Sequence, residues 1–175
     1  MNHPAQPHHF DVIVIGAGAA GMMCAAEAGQ RGRRVLIIDH AEKLAEKIRI
    51  SGGGRCNFTN LEVGIANYLS RNPQFCRSAL SRFTPAHFIE RVNRHGIRWH
   101  EREHGQLFCD DSAQDIIDML RTGCDNGQVS WAMPCQLETI GAGTEPGARF
   151  ILDTSHGRFS CESLVVATGG LSIPK

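Results

Sequence analysis

The chain has 175 residues, 42% of them hydrophobic, enough for one domain with its own core. Lysine and arginine total 18 and aspartate and glutamate total 18, so the formal charge is zero; no basic field favours nucleic acid, and a small-molecule substrate is the expected partner. The longest uncharged apolar run, 12–26, is broken by glycines and too short to span a bilayer, and the seven cysteines contain no C-x-x-C pair, so a reduced, cytoplasmic chain without a membrane segment is expected.

Residues 1–9 are polar, carry three histidines and two prolines, and show no periodicity, so they are expected to form a flexible arm, with structure starting at Phe10. The β-branched run 10–15 suits a strand buried on both faces of a parallel sheet; a helix follows over 19–30, and 35–39 is a second buried strand. Two such strands joined by a helix make a right-handed βαβ unit. A charged helical turn is expected at 42–47, then a glycine loop at 51–54. Two helices are expected between 73 and 96, the second opened by Thr84 as N-cap with Pro85 at its first position and closed by Gly96. A hairpin over 97–109 turns at Gly105, and a helix over 112–124 opens with the capping pattern Ser112-x-x-Asp115. Further strands are expected near Val129 and over 137–140, 149–153, 158–161 and 163–167, the last a buried run. The expected organisation is therefore an arm, 1–9, and one nucleotide-binding domain, 10–175, with a helical and hairpin excursion at about 61–125.

Gly16-Ala17-Gly18-Ala19-Ala20-Gly21 matches G-x-G-x-x-G directly after a strand and at the start of a helix, and Asp39 ends the next strand. Gly16 permits the tight turn, Gly18 lets the backbone approach a pyrophosphate, and Gly21 allows close helix-to-strand packing, while the free N–H groups around Ala19 and Ala20 favour the diphosphate. Asp39 is placed to accept from the adenosine ribose hydroxyls and would repel the extra phosphate of NADP, so FAD or NAD is favoured. His40, Lys47 and Ser51 flank this site and are candidates for phosphate or ribose contact.

In Ser51-Gly52-Gly53-Gly54-Arg55-Cys56-Asn57 three consecutive glycines, with no evident packing purpose, would let backbone press against a flat ligand, and Arg55 could add charge for phosphate. Together with Gly16 to Gly21 and Ala167-Thr168-Gly169-Gly170-Leu171-Ser172-Ile173-Pro174, this loop closely resembles the YhiN/BaiN-like family of FAD-dependent oxidoreductases. The resemblance implies a Rossmann-like FAD/NAD(P)-binding α/β fold with a parallel sheet and a β-hairpin crossover layer, and it selects FAD over NAD. It implies that Gly52 to Gly54, Arg55 and Asn57 line the pyrophosphate and flavin, that Thr168, Gly169 and Gly170 form a second nucleotide-contacting turn, and that Leu137 brings strand backbone to the adenine; Cys56 and Ala167, next to these residues, are further candidates for cofactor contact. Cys109 stands where the family pattern has proline. Relatives run to more than twice this length, so the carboxy-terminal part of the family fold, with most of the substrate pocket, is expected to be absent.

His100-Glu101-Arg102-Glu103-His104 satisfies H-E-x-x-H, but the glycines at 96 and 105 leave no room for a helix and 97–99 alternates like a strand, so a solvated hairpin rim is expected and no metal. Cys56 is a redox candidate only by its place beside Arg55; without a nearby partner cysteine, packing is the expected role, and no catalytic acid or base can be named. The expected function is the FAD-binding part of an NAD(P)H-linked reductase of an organic substrate, a carbon-carbon double bond by family resemblance. The alternatives are a non-catalytic nucleotide-binding fragment and an NAD-dependent dehydrogenase.

Overall fold

The computed structural model describes residues 7–170. In chain order the elements are β1 (His8–Ile15), α1 (Ala19–Gln30), β2 (Val35–Ile38), α2 (Glu46–Ile50), β3 (Asn57–Asn60), α3 (Arg77–Arg82), α4 (Pro85–Arg94), β4 (Trp99–Glu101), β5 (Gln106–Cys109), α5 (Ala113–Asn126), β6 (Ser130–Ala132), β7 (Leu137–Ala142), β8 (Phe150–Thr154) and β9 (Gly157–Val166). They divide into two compact units, one of 1–46 with 120–175 and one of 47–119. The expected excursion of 61–125 thus starts earlier, at Lys47, and takes the glycine loop 51–54 with it.

The first unit is built on a sheet of order β6-β2-β1-β9-β8-β7. β1 pairs in parallel with β2 and β9, and β2 with β6, while β7, β8 and β9 form an antiparallel meander. Alternation along the strands sets the two faces. Ile13, Ile15, Leu36 and Ile38 join Leu152, Phe159 and Cys161 of the meander in one apolar cluster. Val14, on the opposite face of β1, lies toward α1, where a β-carbon on Gly21 would come within 3.4 Å of it.

Four expectations are corrected within this unit. His8 and His9 belong to β1 and not to an arm: they pair with Phe159 and Ser160, and His9 Nδ1 lies 3.2 Å from Ser160 Oγ. The strands expected at 158–161 and 163–167 are one, because β9 passes without a break from its antiparallel partner β8 to its parallel partner β1. Its end is not fully buried, since Val166 is 66% exposed. The turn expected at 42–47 is not helical: Ala45 takes a left-handed φ of 55° while its N–H donates to Ala17 O at 3.2 Å, so α2 starts only at Glu46.

The second unit carries the antiparallel sheet β3-β5-β4. Its aromatic packing centres on Phe58, whose ring centroid lies 6.0 Å from Phe88 of α4 and 6.4 Å from Trp99. Thr84 caps α4 as expected, although the reciprocal partner at the third position is His87, whose Nδ1 accepts from the Thr84 N–H at 3.1 Å. Ser112 Oγ accepts from Gln114 N–H at 3.0 Å and Asp115 accepts from Ser112 N–H at 3.3 Å, closing the capping box of α5.

In the first unit, the end of α1 meets the chain just past α5 backbone against backbone. A β-carbon on Gly29 would sit 2.3 Å from the Gly127 carbonyl oxygen, and Cys124 Sγ donates to Met22 O at 3.3 Å. Gly29→Ala is therefore expected to destabilise by about 1–3 kcal/mol, toward the upper end because backbone obstructs the methyl. Urea denaturation checks this, with a lower midpoint and an unchanged slope.

Candidate cofactor-binding site

Backbone contacts hold the start of the fingerprint turn. Gly16 N–H donates to Ile38 O at 2.8 Å, Ala167 N–H donates to Ile15 O at 2.8 Å, and a β-carbon on Gly16 would lie 2.5 Å from Ala167 O. The turns at Gly16 to Gly21 and at Ala167 to Gly170 are thereby brought side by side. A β-carbon on Gly21 would lie 1.8 Å from Gly16 O, which is the close packing expected of that glycine. Gly18 differs: its φ of −87° suits any residue, and a β-carbon there would meet nothing within 4 Å. No side chain caps the N-terminus of α1, and its first turn holds no acidic residue. Exposed Ala19 and Ala20 therefore present a positive dipole end with bare backbone in front of it. Thr168, Gly169 and Gly170 are exposed, and Gly169 takes φ 75°. Leu171, Ser172, Ile173 and Pro174 lie outside the described residues.

Asp39 directly follows β2, and its carboxylate is tied to the fingerprint: Oδ2 accepts from Ala17 N–H at 2.6 Å and Oδ1 from Ala41 N–H at 2.9 Å. A carboxylate has about four acceptor sites, so each oxygen keeps one for a further donor. His40 Nδ1 stands 3.4 Å from Asp39 Oδ1 on an exposed ring. The Asp39 carbonyl accepts from Cys135 N–H at 2.7 Å, which places the start of β7, and with it half-buried Leu137, a few residues along from this point. The Asp39 to Ala17 link was not read from the sequence; its only sign there is the acid at the end of the second strand.

The remaining candidates, Lys47 and Ser51 to Asn57, belong to the second unit. Gly52 and Gly53 adopt left-handed φ values of 60° and 67° and Gly54 follows at 88°, a succession that L-residues resist. The three glycines are not alike. A β-carbon on Gly52 would lie 2.7 Å from the Phe108 ring and 2.8 Å from Asn57 N, so this glycine does serve packing, against expectation; Gly53 and Gly54 face open space. Lys47, Arg55 and Asn57 are exposed, whereas Cys56 is buried with φ 50°. Burial pushes the Cys56 thiol up to about 11 and that of Cys109, aided by Cys56 as a neighbour, up to about 12. Neither is a thiolate at neutral pH, and all seven cysteines are free thiols.

His100 and His104 do not share a helical face: one lies in β4 and the other in a 3-10 turn at φ 60°. His100 Nδ1 is 2.7 Å from Asp110 Oδ1, and Arg102 Nε lies 3.3 Å from His100 Nε2. The rim is thus an ordered His–Asp–Arg set beside Phe108, a pairing invisible in sequence because Asp110 comes from the far end of the hairpin.

A turn of this kind, joining a parallel strand to a helix whose N-terminus is left open, with an acid closing the next strand, defines a dinucleotide-binding Rossmann domain. Residues 10–175 match the HI0933-like protein Rossmann domain, and the chain belongs to that family, the YhiN/BaiN-like group of FAD-dependent oxidoreductases. It is 58% identical over 165 residues to the ribosomal RNA dihydrouridine synthase of Escherichia coli (strain K12), covering 94% of this chain and 40% of that protein. It is 45% identical to the Haemophilus influenzae (strain ATCC 51907 / DSM 11121 / KW20 / Rd) protein of the same name (93% and 41% covered) and 25% identical to the 3-dehydro-bile acid delta(4,6)-reductase of Clostridium scindens (strain ATCC 35704 / DSM 5676 / VPI 13733 / 19) (90% and 38% covered). The chain therefore spans about two fifths of the length of these relatives. Among solved structures, 3-ketosteroid-delta4-(5alpha)-dehydrogenase from Rhodococcus jostii RHA1 shares the fold, with a TM-score of 0.67, 12% identity, and 95% of this chain and 47% of that one covered.

Two measurements bear on the site. Gly18→Ala is expected to leave ligand-free stability within about 0.5 kcal/mol of the parent while weakening FAD binding about tenfold or more, because its methyl would fill open space at the position where a fingerprint of this type takes a pyrophosphate. Thermal unfolding without ligand and flavin-fluorescence titration read the two effects. Alkylation of Cys56 by iodoacetamide in the folded protein is expected to be slow at pH 7 and to rise about tenfold per pH unit until it levels near pH 11. A rate already maximal at pH 7 would identify a reactive thiolate and contradict the packing role.

Proposed function

We propose that the protein reduces the C5–C6 double bond of uridine in ribosomal RNA with electrons from NAD(P)H, and that this chain holds the FAD of that reaction. The observation that carries this reading is the 58% identity to a ribosomal RNA dihydrouridine synthase across 94% of the chain. Dihydrouridine is uridine with that double bond saturated, so the net reaction takes a hydride from the nicotinamide and a proton from the surroundings, yielding NAD(P)+. The double-bond chemistry agrees with the resemblance noted from the glycine turns; an RNA substrate departs from the expectation that zero net charge supports.

The residues fit FAD. Gly18 leaves open space and the uncapped α1 N-terminus offers N–H groups, so Gly16, Gly18, Ala19, Ala20 and Gly21 would hold the pyrophosphate. Asp39 would accept from the adenosine ribose, with His40 beside it and Leu137 toward the adenine. Gly53 and Gly54 offer bare backbone for a flat ring, with Lys47, Ser51, Gly52, Arg55, Cys56 and Asn57 around them; Ala167, Thr168, Gly169 and Gly170 provide the second turn. When bound, FAD would supply the two-electron chemistry of the reaction.

The test uses the flavin-loaded protein, NAD(P)H and ribosomal RNA lacking the modification, with nucleosides from the digested RNA analysed by mass spectrometry. Dihydrouridine is expected to appear in proportion to NAD(P)H consumed, and to fall sharply with Gly18→Ala at limiting FAD. Yellow protein that oxidises NAD(P)H with a conjugated steroid ketone but leaves the RNA unchanged would replace uridine by a small-molecule substrate.

A further inference from the structure

The zero net charge hides a segregation along the chain. Residues 63–100 carry six arginines, no lysine and one carboxylate, Glu90, a formal +5 that the rest of the chain must balance with −5. Every residue from 66 to 75 is exposed, and Tyr68, Leu69 and Phe75 lie 48%, 95% and 84% open to solvent. Exposed apolar groups of this size next to unbalanced charge mark a surface for a partner.

The charges are also unevenly engaged. Arg94 is paired with Glu90 at 2.6 Å and Arg98 with Asp111 at 3.0 Å. The Arg77 guanidinium donates to the neutral side chain of Gln74, at 3.0 Å, and among the described residues the side chains of Arg71 and Arg82 make no hydrogen bond or ion pair. Three guanidinium groups without a counter-charge thus occur within twelve residues that also carry an exposed phenyl ring. Arginine without lysine matters, because a planar guanidinium binds phosphate through paired hydrogen bonds and also stacks on bases.

We propose that the loop 66–75 and α3 form an RNA-docking surface, in which Arg71, Arg77 and Arg82 neutralise phosphates of an unpaired RNA stretch and Tyr68 and Phe75 stack on its bases. The proposal rests on the uridine-reductase reading above. A base whose ring is to be reduced must leave the helical stack, so an enzyme acting on it needs contacts to unstacked RNA. Guanidinium groups that track phosphates and aromatic rings that accept any base meet that need without reading sequence. The guanidinium groups left without a counter-charge attract a partner of opposite charge, and a polyanion satisfies that most directly.

The test compares the flavin-loaded protein with the triple variant Arg71→Ala, Arg77→Ala, Arg82→Ala and with Phe75→Ala. The probe is ribosomal RNA lacking dihydrouridine, measured for binding over a range of salt and for product formation. The triple variant is expected to bind about tenfold more weakly or worse at low salt and to lower the slope of log affinity against log salt by about 2, near 0.7 for each phosphate contact to single-stranded RNA. Phe75→Ala is expected to weaken binding about tenfold with the slope unchanged. Both should keep the parent's flavin spectrum, which shows that they fold and hold FAD. A triple variant that keeps the parent's salt slope and KM for RNA would overturn the docking surface alone. So would one that binds RNA normally but changes its sedimentation mass, which would assign the arginines to a protein contact. No dihydrouridine from the parent protein would instead overturn the uridine reading itself.

Discussion

At the carboxyl ends of β1 and β9 the backbone approaches itself more closely than any side chain permits. A methyl on Gly21 would lie 1.8 Å from the carbonyl oxygen of Gly16, and a methyl on Gly16 would lie 2.5 Å from that of Ala167. This contact lets α1 leave β1 in a single tight turn and sets the helix N-terminus at the strand ends. Asp39 then fastens β2 to the same turn through the Ala17 N–H. Three elements that could shift relative to one another are thus fixed by two bare backbone contacts and one carboxylate, and the space left open at Gly18 is the one we propose for a pyrophosphate.

What could be read from the sequence follows from that locality. The fingerprint glycines, the N-cap at Thr84 and the capping box at Ser112 act within a few residues, so their spacing is enough. The βαβ unit and the hairpin of β4 and β5 likewise showed in apolar period and glycine position. What escaped is set by distant partners. His8 and His9 look polar and loose, yet Phe159 and Ser160 give them a strand to pair with. The long β9 looked like two strands, because a charged residue at 162 hides a continuity that only its neighbours on both sides reveal. Ala45 in a left-handed turn and Gly52 against the Phe108 ring belong to the same class, since neither requirement exists until the chain has folded.

Charge shows the same limit in another form. A sum of zero over 175 residues excludes a uniform field, but attraction for a polyanion is decided within a Debye length of about 10 Å, where only nearby groups count. Six arginines against one acid over 63–100 give that stretch a formal excess that the total hides. Ion pairing sharpens it further, because Glu90 and Asp111 neutralise Arg94 and Arg98 and leave the excess toward α3. A net charge is therefore a statement about the molecule's far field and not about any one face of it.

The topology explains how such a surface can sit in a nucleotide-binding chain without disturbing it. β2 and β6 are adjacent parallel strands, a pairing that needs a crossover of only about a dozen residues. Here the connection runs from Ile38 to Ser130 and folds most of its length into a unit with its own sheet and its own aromatic packing around Phe58. Pairing of β2 with β6 constrains only the two ends of that connection. The loop 66–75 and α3 can change charge and shape while the glycine turn, Asp39 and the meander keep their geometry. A family that shares one Rossmann fingerprint can then act on unlike substrates by altering what lies between two strands of the same sheet.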